Sequence, residues 1–139
     1  MIISFSNQKG GSGKTTTSQI FSTYVNNFFN DISICVVDID LQQSFYKKRA
    51  AEIALVNKLQ ESNNNFNSKY LKTISKFMKD EKSIYPIYSL NFDNENVIEK
   101  ILELDKKFDL VLIDFPGTLD KKRITEILLL LDYIFIFIN

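Results

Sequence analysis

Seven residues near the N-terminus, from Lys9 to Thr15, have the types and the spacing that bind phosphate groups. They read Lys-Gly-Gly-Ser-Gly-Lys-Thr and follow an apolar segment that ends at Phe5. Glycines let the backbone turn so that successive N–H groups point into one concavity, and a helix that begins at Thr15 adds its positive end. The candidate binding residues are Gly10, Gly11, Ser12, Gly13, Lys14 and Thr15. The segment therefore predicts a phosphate-binding loop in which Lys14 reaches the outer phosphates and Thr15 ligates magnesium.

Two aspartates, Asp38 and Asp40, directly follow a second apolar run. Carboxyl ends of parallel strands line the ligand crevice, and residues two apart on a strand share a face. Both carboxylates are therefore expected where phosphates, magnesium and water meet. The alternative is that Asp38 only ends a strand while Asp40 or Ser44 caps the following helix.

A third aspartate, Asp114, ends the aliphatic run that begins at Leu110. A carboxylate at that strand tip can hold a magnesium-bound water near Thr15. The alternative is a strand end that runs into a Pro116-Gly117 turn. Asp109 is expected to be a solvent-facing strand start.

Strand-like and helix-like segments alternate along the chain, which predicts an α/β fold with a mainly parallel sheet flanked by helices. Apolar strands such as the last one are expected in the middle of that sheet, and the phenylalanines in the core. Ile20, Tyr24 and Phe28 share one face of the first helix. Pro86 predicts an edge strand. The predicted strands are 2–5, 32–38, 84–90, 110–113 and 133–138, and the predicted helices are 15–29, 46–59, 69–79, 96–107 and 119–131, with an Asn-rich loop at 61–68.

Composition narrows the function classes. The chain has 139 residues, the length of one domain, and a net charge of zero, which argues against a strongly basic nucleic-acid surface. It has no histidine, which excludes histidine catalysis, and its one cysteine, Cys35, excludes an internal disulfide framework. The N-terminus does not read as a signal peptide, and the apolar stretch 127–138 is too short to span a bilayer. These features predict a cytoplasmic protein with no membrane segment.

The three motifs in this order resemble the deviant Walker A ATPases, the family of plasmid- and chromosome-partitioning ATPases and of the division-site positioning ATPase. The family pattern is Lys-Gly-Gly-x-Gly-Lys-Thr, then Asp-x-Asp-x-Gln, then an apolar run to Asp with a Pro shortly after. The resemblance extends over residues 1–139. It implies a P-loop NTPase fold, the cofactors ATP and Mg²⁺, and slow ATP hydrolysis.

The resemblance also implies roles for single residues. Lys14 is expected on the β- and γ-phosphates, Thr15 on magnesium and Thr16 on a further phosphate. Asp114 matches the Walker B aspartate, and Asp38 a second aspartate near the magnesium. The catalytic residues implied are Lys9, Lys14 and Asp40.

Of these, Asp40 is expected to position the attacking water. Lys9 matches the signature lysine, which reaches the partner's nucleotide across an ATP-dependent homodimer. By resemblance, the partners are a partition-site-binding adaptor protein and non-specific DNA, and dimerisation acts as a switch in the partitioning of a plasmid, a chromosome or a mobile element.

This sequence departs from the family pattern in three ways. Leu41 and Gly117 occupy positions where the family usually has proline, and the chain ends at Asn139 where the family continues. Residues 1–139 are therefore expected to be the N-terminal part of the usual family domain, either truncated at its C-terminal end or a natural short form, with an exposed sheet edge at the missing half. The alternative is a non-catalytic nucleotide-binding or oligomerisation module. A metal-delivering relative with cysteine ligands is disfavoured by the single Cys35, and a kinase-like enzyme by the presence of only two arginines.

Overall fold

The computed structural model describes residues 1–6, 13–40, 42–61, 85–91, 94–116 and 122–136. Strands and helices alternate along these ranges, as the sequence predicts. The predicted helix at 69–79 and nearly all of the Asn-rich loop lie outside the described residues. The elements are β1 (Ile2–Ser6), α1 (Lys14–Phe28), β2 (Ile34–Asp38), α2 (Ser44–Glu61), β3 (Ile87–Ser89), α3 (Val97–Lys107), β4 (Leu110–Asp114), α4 (Lys122–Leu128) and β5 (Tyr133–Ile136).

The five strands form one parallel sheet in the order β3-β2-β4-β1-β5. This confirms the predicted α/β class. Because all strands run the same way, their carboxyl ends share one edge of the sheet. That edge carries Asp38 at the end of β2, Asp40 just beyond it and Asp114 at the end of β4. In the register between β2 and β4, Asp38 lies directly beside Asp114.

Helices cover both faces of the sheet and divide the core in two. On one face, strand side chains pack with Val25 of α1 and Phe45 of α2. On the other face, strand side chains pack with α3 and with Ile127 of α4. Helix α3 packs on the sheet through Val97, Ile101 and Leu104, which are its buried residues. Two interior strands, β2 and β4, are buried along their whole length, which places Asp38 and Asp114 at the tips of fully buried strands.

Helix α1 differs from the expected core packing. Its apolar residues Ile20, Tyr24 and Phe28 are exposed, and its sheet-facing side consists of Lys14, Ser18, Ser22 and Val25. Serine is small, so the helix approaches β1, β2 and β4 closely at these positions. The hydroxyl groups of Ser18 and Ser22 are buried without a hydrogen-bond partner among the described residues. Helical periodicity shows which residues share a face of a helix, but it does not show whether another element covers that face. The prediction that these apolar residues belong to the core was therefore wrong.

Strand β5 also differs from its prediction. It was expected in the middle of the sheet, but it is an edge strand that pairs only with β1 within the described part of the chain, and all four of its side chains are exposed. The opposite edge is formed by β3, as Pro86 predicts. Proline has no N–H to donate, and here the Pro86 carbonyl accepts a hydrogen bond from the N–H of Val36 at 3.0 Å.

No helix in the described ranges is long and apolar enough to cross a membrane.

Candidate functional site

The site begins where α1 begins. Gly13 has a left-handed backbone, with φ 82° and ψ 11°, and its carbonyl accepts the N–H of Thr17 at 2.8 Å. A Cβ at this position would meet nothing within 4 Å, so the backbone conformation and not lack of space requires glycine here. The first turn of α1 then presents Lys14 and Thr15 at the positive end of the helix, where N–H groups have no partner within the helix.

Thr15 and Asp114 form the central contact of the site. The Thr15 hydroxyl donates a hydrogen bond to Asp114 Oδ2 at 2.9 Å. Asp114 is 1% exposed, and its other oxygen, Oδ1, is buried without a hydrogen-bond partner among the described residues. A buried carboxylate oxygen is costly unless it is paired. This oxygen therefore marks a position where a further donor or a cation belongs.

The charges around Asp114 are consistent with a further donor or a cation beside its Oδ1 atom. The pKa of the Asp114 carboxyl is raised to about 6, chiefly by burial and to a smaller extent by the nearby charges of Asp38 and Asp40. The Thr15 hydroxyl and the charge of Lys14 act in the opposite direction and lower this pKa. Lys14 itself is nearly buried, at 8% exposed. The charges of Asp38, Asp40 and Lys14 thus all act on the Asp114 carboxyl at this edge of the sheet.

Asp38 connects β2 to α2. Its Oδ2 accepts the backbone N–H of Tyr46 at 2.9 Å, and its Oδ1 accepts that of Asp40 at 3.2 Å. Burial raises the pKa of Asp38, whereas these backbone N–H donors lower it. A carboxylate that accepts N–H groups in the first turn of a helix is a helix cap. The sequence alternative assigned this capping to Asp40 or Ser44, and the structure shows it at Asp38.

Asp40 forms a tight turn beyond the strand. Its Oδ1 accepts the N–H of Gln42 at 2.9 Å, and its carbonyl accepts the N–H of Gln43 at 2.8 Å. Gln43 has a positive φ of 49°, which is uncommon for a residue other than glycine. The turn holds the Asp40 carboxylate, which is only half-buried, close enough to Asp114 to raise its pKa.

Of the remaining predicted site residues, the structure describes one, Thr16, and four lie outside the described residues. Thr16 is exposed on the first turn of α1. Lys9, Gly10, Gly11 and Ser12 lie outside the described residues.

Sequence reasoning missed a bridge between α1 and α2 beside the site. Lys48 Nζ donates a hydrogen bond to Gln19 Oε1 at 2.8 Å, and the Arg49 guanidinium lies 4.7 Å from the centre of the Tyr85 ring. The basic run 47–49 lies near the start of α2. Its partners come from distant parts of the chain, so no local pattern could have identified them.

The arrangement combines a helix N-terminus, a nearly buried lysine and hard oxygen ligands from Thr15 and Asp114. Hard oxygens suit Mg²⁺, and a helix start with a lysine suits phosphate oxygens. Together with the parallel sheet, these features define a nucleotide-binding P-loop ATPase domain. The profile of the family described as AAA domain (AAA_31) matches residues 1–139, and the chain belongs to this family. A comparison with curated proteins finds no match.

Proposed function

We propose that this chain binds Mg-ATP and hydrolyses it, and that ATP-dependent association of two copies acts as a switch in DNA partitioning. The observation that carries the nucleotide part is the hydrogen bond between Thr15 and Asp114, whose other carboxylate oxygen is buried and has no hydrogen-bond partner among the described residues. A strand-tip carboxylate bonded to the hydroxyl after the loop lysine is the pair that holds magnesium in P-loop NTPases.

The residues present fit a magnesium ion. Thr15 Oγ1 would ligate it directly, and Asp114 Oδ1 would accept hydrogen bonds from its water ligands, which gives that oxygen its missing partners. The ion would neutralise charge on the phosphate oxygens. Asp38 already accepts two N–H groups, so in this proposal it acts as a positioning residue that orients the Asp40 turn.

The proposed reaction is attack of water on the γ-phosphorus, with cleavage of its bond to the oxygen that bridges it to the β-phosphate. The products are ADP and inorganic phosphate, which carries the proton lost by the water. Asp40 orients the water, and Lys14 stabilises charge on the phosphate oxygens. Phosphoryl transfer depends mostly on positioning and charge stabilisation, so this chemistry needs no histidine.

The switch in the proposal rests on Lys9, which matches the signature lysine of the deviant Walker A family. If Lys9 of one copy contacts the nucleotide of the other, ATP binds the pair better than ADP does, and this difference shifts the monomer–dimer equilibrium. Support for the partitioning role comes from the resemblance in three ordered motifs. The proposed partners are an adaptor protein that binds the partition site and non-specific DNA.

Calorimetric titration of ATP in the presence of magnesium tests the nucleotide site. Lys14→Ala should abolish measurable binding because it removes the buried cation from the phosphate site. Lys107→Ala is the matched control, since Lys107 is exposed at the end of α3, on the side where β4 begins. Absence of binding by a folded wild-type chain, or equal loss in both variants, would overturn the proposed site.

Turnover separates the ATPase from the alternative, a non-catalytic nucleotide-binding module. Phosphate release is measured for the wild type and for Asp40→Ala at saturating Mg-ATP. In an ATPase the variant should retain binding and lose hydrolysis by ~100-fold or more, the usual loss when an orienting group is removed. A wild-type rate equal to that of Lys14→Ala would favour the non-catalytic module.

Retention of the chain on non-specific DNA tests the switch. Retention with Mg-ATP but not with Mg-ADP is expected, and Lys9→Ala should remove the difference between the two nucleotides. Equal retention with both nucleotides would contradict an ATP-dependent switch without affecting the nucleotide site.

A further inference from the structure

A small cavity lies between α1 and α2, next to the residue two positions before β3. We name it the α1–α2 cavity, and its polar lining consists of Gln19, Thr23, Lys48, Arg49, Glu52 and Tyr85. Because β3 and β5 form opposite edges of the sheet, these walls lie on the flank of α1 that faces away from β5. Both helices and Tyr85 contribute to one core cluster, so the sheet fixes the walls relative to one another.

The size of the cavity restricts its ligand. Pockets that hold drug-sized molecules or cofactors have volumes of roughly 300–1,000 Å³. The α1–α2 cavity has a volume of about 110 Å³. It therefore takes a small ion, or one group that projects from a larger molecule, and the chemistry of its lining decides which group that is.

Lys48 supplies a positive charge whose position is fixed. Its Nζ donates a hydrogen bond to Gln19 Oε1 at 2.8 Å, so the long side chain is held across the gap between the two helices. An ammonium group has three hydrogens, and among the described contacts this bond uses one of them. The other two are available to an acceptor in the cavity.

Arg49 supplies a second positive charge, and its orientation is also fixed. The guanidinium carbon lies 4.7 Å from the centre of the Tyr85 ring, and Nε lies 3.6 Å from Glu52 Oε2. The five N–H groups of arginine lie in the plane of the guanidinium, so stacking on a ring leaves them able to donate sideways. The contact with Glu52 involves the Nε side, which leaves the terminal nitrogens for an oxyanion.

The remaining lining adds hydroxyl donors and little opposing charge. Thr23 Oγ1 and Tyr85 Oη lie 3.4 Å apart, so one hydroxyl donates to the other and the second keeps its hydrogen for a ligand. Glu52 is the one carboxylate in the lining, and its side chain is 57% exposed, so water screens its charge. Donors from α1, α2 and Tyr85 surround the cavity on three sides, which suits the four oxygens of a tetrahedral anion better than the two of a planar carboxylate.

We propose that the α1–α2 cavity binds one phosphate group, to which Lys48 and Arg49 donate charge-assisted hydrogen bonds. Inorganic phosphate and a phosphate of the DNA backbone present the same oxygens to the cavity. The DNA source rests on the DNA partner proposed above, whereas the phosphate site itself depends on neither ATP binding nor hydrolysis. It is distinct from the nucleotide site, because Gln19 lies about 7.5 Å along α1 from Lys14 and Lys14 does not line the cavity.

Nuclear magnetic resonance of the arginine side chains tests the phosphate site. The chain has two arginines, so ¹⁵N-arginine labelling gives one Nε signal from Arg49 and one reference signal from Arg123. Sodium phosphate is titrated at constant ionic strength into the wild type and into Lys14→Ala, in which the nucleotide site has lost its cation. The Arg49 signal should shift to saturation in both chains. No saturable shift, an equal shift with sodium chloride, or a shift that is lost in folded Lys14→Ala would overturn the proposal.

Two lysine variants of α2 test the donors in the same titration. Lys48→Ala should raise the dissociation constant for phosphate at least ~10-fold, because it removes a charged donor. Lys58→Ala, in the last turn of the same helix, is the matched control and should leave the constant unchanged. Circular dichroism checks that each variant is folded, and equal constants in the two variants would overturn the site.

Retention on non-specific DNA over a range of salt concentrations separates the two sources of phosphate. If the DNA backbone supplies the group, Lys48→Ala should reduce the slope of log affinity against log salt by about 1, and Lys58→Ala should not. An unchanged slope in Lys48→Ala, together with its weaker phosphate binding, identifies inorganic phosphate as the ligand. A wild type that fails to bind ATP but keeps the Arg49 shift would overturn the nucleotide site and leave this one in place.

Discussion

The carboxyl edge of the sheet and the exposed apolar side chains of α1 and β5 depart from ordinary packing in opposite ways. At the edge, Asp38, Asp114 and Lys14 are buried although they are charged. At the side, aromatic and aliphatic residues are exposed. Buried charges and contiguous exposed apolar groups both cost free energy, so each is informative about binding. The composition of the edge suits a cation and phosphate oxygens, whereas that of the side suits apolar groups.

The two regions also differ in how the free-energy cost of their unusual packing is offset. At the edge, Thr15 donates to Asp114, two backbone N–H groups bind Asp38, and Lys14 supplies a positive charge. Within the part of the chain that the structure describes, this leaves Asp114 Oδ1 without a partner. At the side, the Tyr24 ring contacts Phe28 and Phe29, and the Phe135 ring contacts Phe5. A preformed polar site suits a small ion or ligand, whereas exposed apolar side chains leave water only when another apolar surface packs on them.

Asp114→Asn should have the largest effect at the edge. Removing the carboxylate should lower ATP hydrolysis by ~100-fold or more, since magnesium would lose a charged partner. The same change should stabilise the ligand-free chain at pH 7.5 by about 2 kcal/mol, because a buried ionised group is replaced by a neutral one. Phosphate release and urea unfolding measure the two effects. A ligand-free variant less stable than the wild type would show that Asp114 is held for structure and not for ligand binding.

The free energy of unfolding should depend on pH because the Asp114 carboxyl binds its proton more tightly in the folded chain. Its pKa is about 6 in the folded chain against an ordinary value of 3.8. As pH rises between these values the unfolded chain releases its proton first, so the free energy of unfolding falls, by about 3 kcal/mol in total. Asp38, whose pKa is also raised, acts in the same direction.

Urea unfolding at pH 4.5, 5.5, 6.5 and 7.5 measures this slope in the ligand-free chain. Asp114→Asn should remove most of it. A wild-type chain whose stability rises across this range would contradict the assigned burial of the carboxyl.

Asp38→Ala should produce an intermediate effect. It leaves the N–H groups of Asp40 and Tyr46 without their acceptor, which should cost about 1–3 kcal/mol of unfolding free energy. Asp109→Ala is the control, since Asp109 is exposed and binds Ser33 at the opposite end of the strands; its effect should be smaller. Chemical denaturation compares the two, and equal losses would contradict the capping role of Asp38.

Ser18→Ala should have the smallest effect. The Ser18 hydroxyl is buried without a partner among the described residues, so its removal should leave stability unchanged or raise it by up to ~1 kcal/mol. Ser18→Leu, at the same position, should destabilise by about 1–3 kcal/mol through overcrowding against the sheet. Thermal unfolding of both variants measures how closely α1 approaches the sheet. A loss with alanine would indicate that the hydroxyl has a partner.

The sequence by itself determined the phosphate-binding loop around Lys14, the aspartates at two strand ends and the parallel α/β class. These are local patterns, because a glycine-rich turn, a strand tip and a helix start each depend on neighbouring residues. Tertiary structure alone decided that α1 packs through Ser18 and Ser22, that β5 is an exposed edge, and that Asp38 caps α2. Each of these depends on which distant segment arrives beside the residue, and hydrophobic periodicity carries no information about that.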